Sequence, residues 1–152
     1  MVTIAVVAIL ATVGVPALQS LVQQNRVVSE TNQLVTALNL ARTEAVRRGE
    51  DVAVRPQGSE GISGGYCVLS SGSCDDDSIR SFAAMSRVQA VASLDNDNWI
   101  RFDSRGRKTA PTGSVEVTLT PDGCPSGTGE RARVVTVSPS GLITTRSAAC
   151  GT

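Results

Sequence analysis

The sequence has four cysteines, whose number and spacing limit the chemistry they can do: Cys67, Cys74, Cys124 and Cys150. No two of them form a CxxC pair, which argues against zinc-ribbon and thioredoxin-like sites. An even number of cysteines behind an apolar N-terminal segment indicates an oxidising compartment, where disulfides form. Three pairings are open. We favour Cys67–Cys74, across a Ser-Gly-Ser turn, and Cys124–Cys150, which would tie down the C-terminus; four reduced thiols are the alternative.

Two acidic runs could supply oxygen ligands to Ca²⁺: Asp75-Asp76-Asp77 and Asp95-Asn96-Asp97-Asn98. Neither has the spacing of a calcium-binding loop, so solvated turns are the alternative. The chain contains no histidine, which excludes His-based catalysis and His metal ligation. It also lacks a P-loop, a nucleophile elbow and a Gly-x-Gly-x-x-Gly motif. We therefore predict no catalytic site, no metal site and no required cofactor, with Ca²⁺ as the one candidate ligand.

The basic residues of the C-terminal third could contact DNA phosphates. Arg105, Arg107 and Lys108 form a basic turn, and the side chains that could lie near it are Arg131, Arg133 and Arg146. The whole chain has 14 basic and 14 acidic residues, so polyelectrolyte binding is not implied. Aromatic residues make up 3% of the chain, which argues against a stacking platform for single strands. DNA binding is thus one hypothesis, and a charge-balanced solvated loop is the other.

The N-terminal segment of the chain reads MVTIAVVAILATVGVPAL, and the first charged side chain is Arg26. A helix of about 25 uncharged residues spans about 37 Å, enough to cross the hydrocarbon core of a bilayer. A secretory signal would need a basic start, and a soluble surface helix would need a polar face. We therefore expect a helix embedded in a membrane or among partner helices, with a buried core helix as the alternative. Gly14 and Pro16 would let this helix kink or melt locally.

The same helix is predicted to continue to Arg48. Between Pro16 and Arg48 there is no further Gly or Pro, and an apolar stripe follows the helical period at Val27, Leu34, Leu38, Ala41 and Ala45. Gly49 then ends the pattern. The predicted organisation is an apolar half of the helix over residues 1–25, an amphipathic half over 26–49, and a β domain over 50–152.

After Gly49 the hydrophobic period becomes two. The predicted strands are 51–55, 66–69, 88–92, 99–102, 115–119, 134–137 and 142–145. Clusters of turn residues such as DNDN, PDGCPSGTG and SPSG separate them. No helix intervenes, so the strands are predicted to be antiparallel. The predicted fold class is α+β, a long N-terminal helix packed on an antiparallel β-sheet domain.

Several of these segments resemble type IV pilins and pseudopilins, in particular the minor pilins of the GspH/FimT type. Gly14-Val15-Pro16 is similar to the pilin N-terminal helix, and LNLARTEAVRRG (38–49) resembles the end of that helix. WIRFDSRGR (99–107) resembles a strand and turn of the family, and ARVVTVSPSG (132–141) its penultimate strand and turn. The late cysteine pair is similar to that of pilus-associated members. DNA-binding members carry Gly-Arg-x-Arg near the C-terminus, whereas here Leu142 follows Gly141.

The resemblance implies a structural subunit, most of all a minor pilin. Such a protein is anchored once in the bacterial inner membrane with a periplasmic domain, and an assembly platform then moves it into a filament. Its partners would be the lipid bilayer before assembly and the helices of other pilin subunits afterwards. A pseudopilin of a type II secretion system and a DNA-binding pilin for natural transformation are the alternatives. The family's leader and its Glu near the mature N-terminus are absent, so we expect the first residues to be missing from this sequence.

Overall fold

The computed structural model describes residues 2–75, 78–94, 99–127 and 129–151, and it describes residues 2–20 by their backbone alone. Within these ranges a helix of 47 residues, α1 (Val2–Arg48), is followed by nine strands and a short 3₁₀ turn at Gly61–Gly64. The strands are β1 (Val52–Pro56), β2 (Tyr66–Leu69), β3 (Ser78–Phe82), β4 (Val88–Ala92), β5 (Ile100–Phe102), β6 (Lys108–Ala110), β7 (Val115–Pro121), β8 (Ala132–Val137) and β9 (Ile143–Ala148).

The second half of α1 buries the predicted stripe. Seven side chains are less than 5% exposed and recur every three or four residues: Val27, Thr31, Leu34, Ala37, Leu38, Ala41 and Ala45. The one polar member, Thr31, donates its hydroxyl proton to the carbonyl of Val27 at 2.6 Å, so its burial leaves no unpaired group. The predicted amphipathic stripe is therefore confirmed.

The helix ends as the sequence predicts. Gly49 has a φ of +71° and donates its N–H to the carbonyl of Ala45 at 3.0 Å, the left-handed conformation that commonly closes a helix. In the last turn, Arg47 and Arg48 both bind the carboxylate of Glu44, at 2.6 and 2.8 Å. These hydrogen bonds, with Arg47 contributing most, lower the pKa of Glu44 to about 2.

The β domain consists of two antiparallel sheets. The first sheet has the order β3-β2-β1-β5-β6, and the second has the order β4-β7-β8-β9. In the first sheet Val54 lies opposite both Val68 and Ile100, and in the second Val117 lies opposite Val135. The inward-facing residues of both sheets share one hydrophobic core with α1, and β1 and β2 are buried at nearly every position. The α+β class is thus confirmed, with the sheet divided in two.

The sequence does not predict β3 and β6. Both are edge strands of the first sheet, and both lie beside segments, SCDDDS and TAPTG, that are rich in turn residues. An edge strand has a neighbour on one side alone, so it needs less hydrophobic alternation than a central strand. The periodicity signal that identifies the inner strands is accordingly weak in these two.

The predicted kink at Gly14 and Pro16 is not tested. The helix assignment of α1 is continuous through both residues, and their side-chain surroundings lie outside the described residues. Among the residues whose side chains are described, no helix is long and apolar enough to cross a membrane. Residues 1–20 of the uncharged run over 1–25 lie outside that set, so the anchor and the local melting stay predictions.

Candidate assembly site and charged surfaces

Three segments that are far apart in the chain meet at the C-terminal end of α1. Arg42 donates its Nε proton to the carbonyl of Gly106 at 3.0 Å, in the turn between β5 and β6. A β-carbon at Gly141, in the turn between β8 and β9, would clash with that same carbonyl oxygen. The three-segment junction of Arg42, Gly106 and Gly141 therefore fixes α1 against one turn from each sheet.

Asp103 organises the first of these turns. Its carboxylate accepts the backbone N–H of Arg105 at 2.9 Å and that of Arg107 at 2.8 Å. The guanidinium of Arg107 also donates to this carboxylate, from Nη2 to Oδ2 at 2.8 Å and from Nε to Oδ2 at 3.0 Å. The backbone hydrogen bond from Arg107 contributes most to lowering the pKa of Asp103. The sequence analysis does not single out Asp103. The local signal is that an aspartate in a turn commonly hydrogen-bonds the backbone N–H two residues further on, here that of Arg105.

The predicted basic turn does not present three free cations. Lys108 is 6% exposed, and its ammonium donates to the carbonyl of Pro111, because residue 108 faces inward on β6. Arg107 pairs with Asp103, and of these three residues Arg105 alone is both exposed and outside the ion pairs of the described part of the chain. Lys108 is thus buried rather than part of an exposed basic surface, and DNA contact at Arg105, Arg107, Lys108 and Arg146 stays a prediction.

The other basic candidates lie elsewhere. Arg133 borders a small pocket between α1 and the second sheet, together with Val28, Thr31 and Thr145. Arg146 is on the edge strand β9 and pairs with Glu116 at 3.6 Å. Arg133 is the second residue of β8, at the end of the strand away from the β8–β9 turn. The predicted approach of Arg131, Arg133 and Arg146 to the turn at 105–108 stays a prediction.

Both favoured disulfides are present. Cys67 and Cys74 are joined with a Cα–Cα distance of 5.7 Å, and Cys124 and Cys150 with one of 5.9 Å. The second bond is supported by a hydrogen bond from the N–H of Gly127 to the carbonyl of Cys150 at 2.8 Å. The C-terminal tail is thereby held on the loop between β7 and β8, as the sequence predicts.

Most residues of the two candidate calcium-binding runs lie outside the described part of the chain. Of the two acidic runs, Asp75 alone is described; residues 76–77 and 95–98 lie outside. Among the described residues there is no group of three or more side chains able to hold a metal ion. Ca²⁺ binding at these runs stays a prediction without structural support.

A cluster that the sequence analysis missed lies on the first sheet. The guanidinium carbon of Arg55 is 4.8 Å from the ring centroid of Trp99, and that of Arg101 is 5.2 Å from it. We call Arg55, Trp99 and Arg101 the arginine–tryptophan cluster. The signal was the alternation of Trp99 and Arg101 with the buried Ile100 and Phe102, but the sequence does not reveal that β1 lies next to β5.

Exposed apolar side chains lie on both halves of α1, where Val46 is 54% exposed, on β4 and beside the β8–β9 turn. Leu21 and Val22 on α1 are 57% and 47% exposed, and they precede the first core residue of the helix, Val27. Val91 on β4 is 71% exposed, and Leu142 beside the three-segment junction is 59% exposed. The segment of α1 before Val27 therefore carries apolar surface that the β domain does not cover.

A family model matches most of the chain, and two solved structures share its fold. The family model described as Type II transport protein GspH matches residues 30–141. A sequence search of curated proteins finds no match. The crystal structure of the type IV minor pilin FimU of Pseudomonas aeruginosa is similar with a TM-score of 0.64 and 20% identity, over 80% of this chain and 89% of that one.

The minor pseudopilin EpsH from the type 2 secretion system of Vibrio cholerae is similar with a TM-score of 0.52 and 17% identity, over 82% of this chain and 97% of that one. Both structures share the long helix packed on antiparallel sheets. At these identities the two likenesses describe the fold.

Proposed function

The chain belongs to the family described as Type II transport protein GspH, and from this premise we propose that it is a minor subunit of a type IV pilus, built into the filament through α1. Family and fold are those of minor pilins and pseudopilins, which are structural subunits. The observation that carries the proposal is the division of α1. From Val27 onward it forms the core of the β domain, while Leu21 and Val22 leave apolar surface uncovered.

The uncovered part of α1 supports assembly by helix packing. An apolar helix that leaves a bilayer needs other apolar helices, since its side chains gain nothing from water. We propose that the segment before Arg26 rests in the inner membrane until the assembly platform transfers it to the filament core. Gly14 and Pro16 would then allow local unwinding as the surroundings change from lipid to protein. The β domain stays outside the bilayer.

The disulfides favour the pilus over the secretion pseudopilus. Cys124–Cys150 fastens the C-terminal tail, and such closure protects a domain displayed outside the cell from fraying at its terminus. A pseudopilin of a type II secretion system is the alternative, because the periplasm also allows disulfides to persist.

The test is quantitative proteomics on filaments sheared from the cell surface, with this chain measured against the most abundant pilin. A minor pilin should be present in trace amounts. Equal abundance would make the chain the main building block, and absence from filaments with retention at the inner membrane would support the secretion pseudopilus.

A matched pair of variants tests the role of α1. Leu21→Lys places a charge on the uncovered helix surface, and Val91→Lys places one on an exposed site of β4. We expect Leu21→Lys to be lost from filaments and Val91→Lys to remain, with both chains present in the cell at parental levels. Equal incorporation of the two variants would contradict assembly through this part of the helix.

DNA binding is not proposed as a second function. It depended on a basic turn, and of that turn Lys108 is buried while Arg107 is paired with Asp103. A gel shift of the parent chain and the Arg105→Ala/Arg107→Ala variant at equal salt would test this, and we expect the two to behave alike.

A further inference from the structure

Two arginines flank α1 near the N-terminal limit of its contact with the β domain. Arg80, on the edge strand β3, is exposed and borders a groove of about 520 Å³ together with Ser29 and Gln33 of α1. Arg133 on β8 is half-buried and borders a smaller pocket of about 100 Å³ together with Thr31. One arginine from each sheet therefore lies beside the same stretch of the helix.

A third arginine lies below the groove that Arg80 borders. Arg26 is exposed and precedes Ser29 and Gln33 by three and seven positions, so it lies on their face of the helix. Ser29 and Gln33 are about 5 and 10 Å beyond it along the helix axis. Arg26 is also the first charged residue after the uncharged residues 1–25. We call Arg26, Arg80 and Arg133 the three-arginine group.

The three-arginine group lies on both sides of α1. Thr31 borders the pocket of Arg133, and Gln33 borders the groove of Arg80. Because these two helix residues are two positions apart, they are about 160° apart around the axis. A linear polyanion such as DNA could contact one side, but α1 stands between the two. A bilayer surrounds a helix that emerges from it, so lipid headgroups are present on both sides.

The height of these arginines along α1 agrees with a position among lipid headgroups. The proposed function places the segment before Arg26 in the bilayer, whose hydrocarbon core is about 30 Å thick. Arg26 then lies at the boundary between lipid and water, and helix residues up to about 10 Å beyond it lie in or next to the headgroup layer. Long arginine side chains extend their guanidinium groups toward this layer.

The side chain of Arg80 is already oriented for a phosphate. Its guanidinium carbon is 5.1 Å from the ring centroid of Phe82, and that ring stacks on Tyr66 with the centroids 4.9 Å apart. A guanidinium that lies over an aromatic ring keeps the N–H groups at its edge, where one phosphate can accept two of them. The carboxylate of Glu30 on α1 opposes phosphate binding, but Glu30 is half-buried, whereas Arg26 and Arg80 are exposed.

We propose that the three-arginine group binds the phosphate groups of anionic phospholipids, and that this holds the β domain on the membrane surface before the chain is assembled. The inference rests on the proposed function for the position of α1 in the bilayer. Each arginine near an anionic membrane surface favours the docked state about fivefold. Contacts on both sides of α1 resist tilting of the helix in either direction. Extraction of the helix from the bilayer would break them together with its lipid contacts.

Headgroup contact can be measured on the full chain in lipid nanodiscs. One set of discs contains phosphatidylcholine alone, and a second set has phosphatidylglycerol in place of one third of it. Both contain a trace of lipid with a paramagnetic headgroup, which broadens the NMR signals of nearby backbone amides. We expect the amides of Ser81 and Val134 to broaden in the anionic discs, several-fold less in the neutral discs, and less in the anionic discs at high salt.

Two double variants make the test specific. Arg80→Gln/Arg133→Gln should lower the ratio of docked to undocked chains about 25-fold, so the broadening of the two amides should fall to its level in neutral discs. Arg47→Gln/Arg105→Gln removes the same charge from exposed residues at the other end of α1, about 30 Å further along the axis, and should behave like the parent. Circular dichroism would verify that both variants are folded.

Equal broadening in neutral and anionic discs would overturn the inference, and so would an equal loss in both double variants. Shifts of the same amides that follow added oligothymidine rather than anionic lipid would assign these arginines to a nucleic acid and overturn it as well. Insertion of the chain without headgroup contact would overturn the inference alone. Failure of the chain to enter the discs would overturn it together with the membrane stage of the proposed function.

Discussion

At the scale of single residues, Asp103 illustrates how one carboxylate shapes a turn. It accepts two backbone N–H groups and the guanidinium of Arg107, all of which favour its charged form. These interactions lower its pKa in the folded chain. A depressed folded pKa means that the stabilisation is present above the unfolded pKa of about 3.9 and is lost as the pH falls through the folded value.

The pH prediction follows directly. We expect the carboxyl carbon of Asp103 to titrate below about 3.9 when followed by NMR, and the amides of Arg105 and Arg107 to shift with the same midpoint. In Asp103→Asn these two amides should show no transition in that range. Titration of Asp103 at or above its ordinary value would contradict the described hydrogen bonds.

Gly141 offers a second prediction at this scale, with a matched control. Gly141 and Gly113 have φ values of +80° and +76°, but a β-carbon at Gly141 would clash with the Gly106 carbonyl, whereas none of the described atoms lies within 4 Å at Gly113. Gly113→Ala should cost about 1 kcal/mol from backbone strain alone. Gly141→Ala should cost about 3 kcal/mol, because overpacking adds to that strain.

Urea unfolding of the two variants measures this difference. Equal midpoints would mean that the β8–β9 turn can move away from Gly106 without cost. A midpoint for Gly113→Ala below that of Gly141→Ala would contradict the described packing of both turns.

The sequence showed which side chains could react or bind more clearly than it showed which side chains lie next to each other in the fold. The cysteine pairing followed from turn residues and from the position of Cys150 near the C-terminus. The burial of Lys108 was not predicted, because the sequence does not show that residue 108 faces inward on an edge strand. The arginine–tryptophan cluster was missed for a related reason: Arg55 and Trp99 are neighbours only once the pairing of β1 with β5 is known.

At the scale of elements, α1 is held to the sheets by its apolar stripe. Leu38 is fully buried, while Leu142 is 59% exposed. Leu38→Ala should therefore lower the free energy of unfolding by about 2–5 kcal/mol, through lost burial and the cavity left behind. Leu142→Ala should change it by less than about 0.5 kcal/mol.

Thermal melts recorded by circular dichroism would compare these variants with the parent. Similar melting temperatures for Leu38→Ala and Leu142→Ala would mean that the helix is not docked as described.

The end of α1 and the inner strands were predictable because Gly49 and the change of period are local signals. The split into two sheets was not, since strand order depends on contacts between distant segments.

At the scale of the whole molecule, the two disulfides close loops of different length. The bonded cysteines are 26 residues apart in one case and 7 in the other. Loop entropy alone assigns about 3.5 kcal/mol to Cys124–Cys150 and about 2.4 kcal/mol to Cys67–Cys74. Cys124→Ser/Cys150→Ser should consequently unfold at a lower urea concentration than Cys67→Ser/Cys74→Ser. The reverse order would mean that the short loop matters for packing rather than for chain entropy.

The three-segment junction also has a mechanical meaning. A filament subunit pulled through the N-terminal end of α1 would load the helix along its axis, and that load would act on the helix–sheet contact in shear. Arg42 meets Gly106 and Gly141 near the opposite end of the helix, one turn from each sheet. Tension would thus be shared between two parallel supports, and detachment of the helix would require both to yield together.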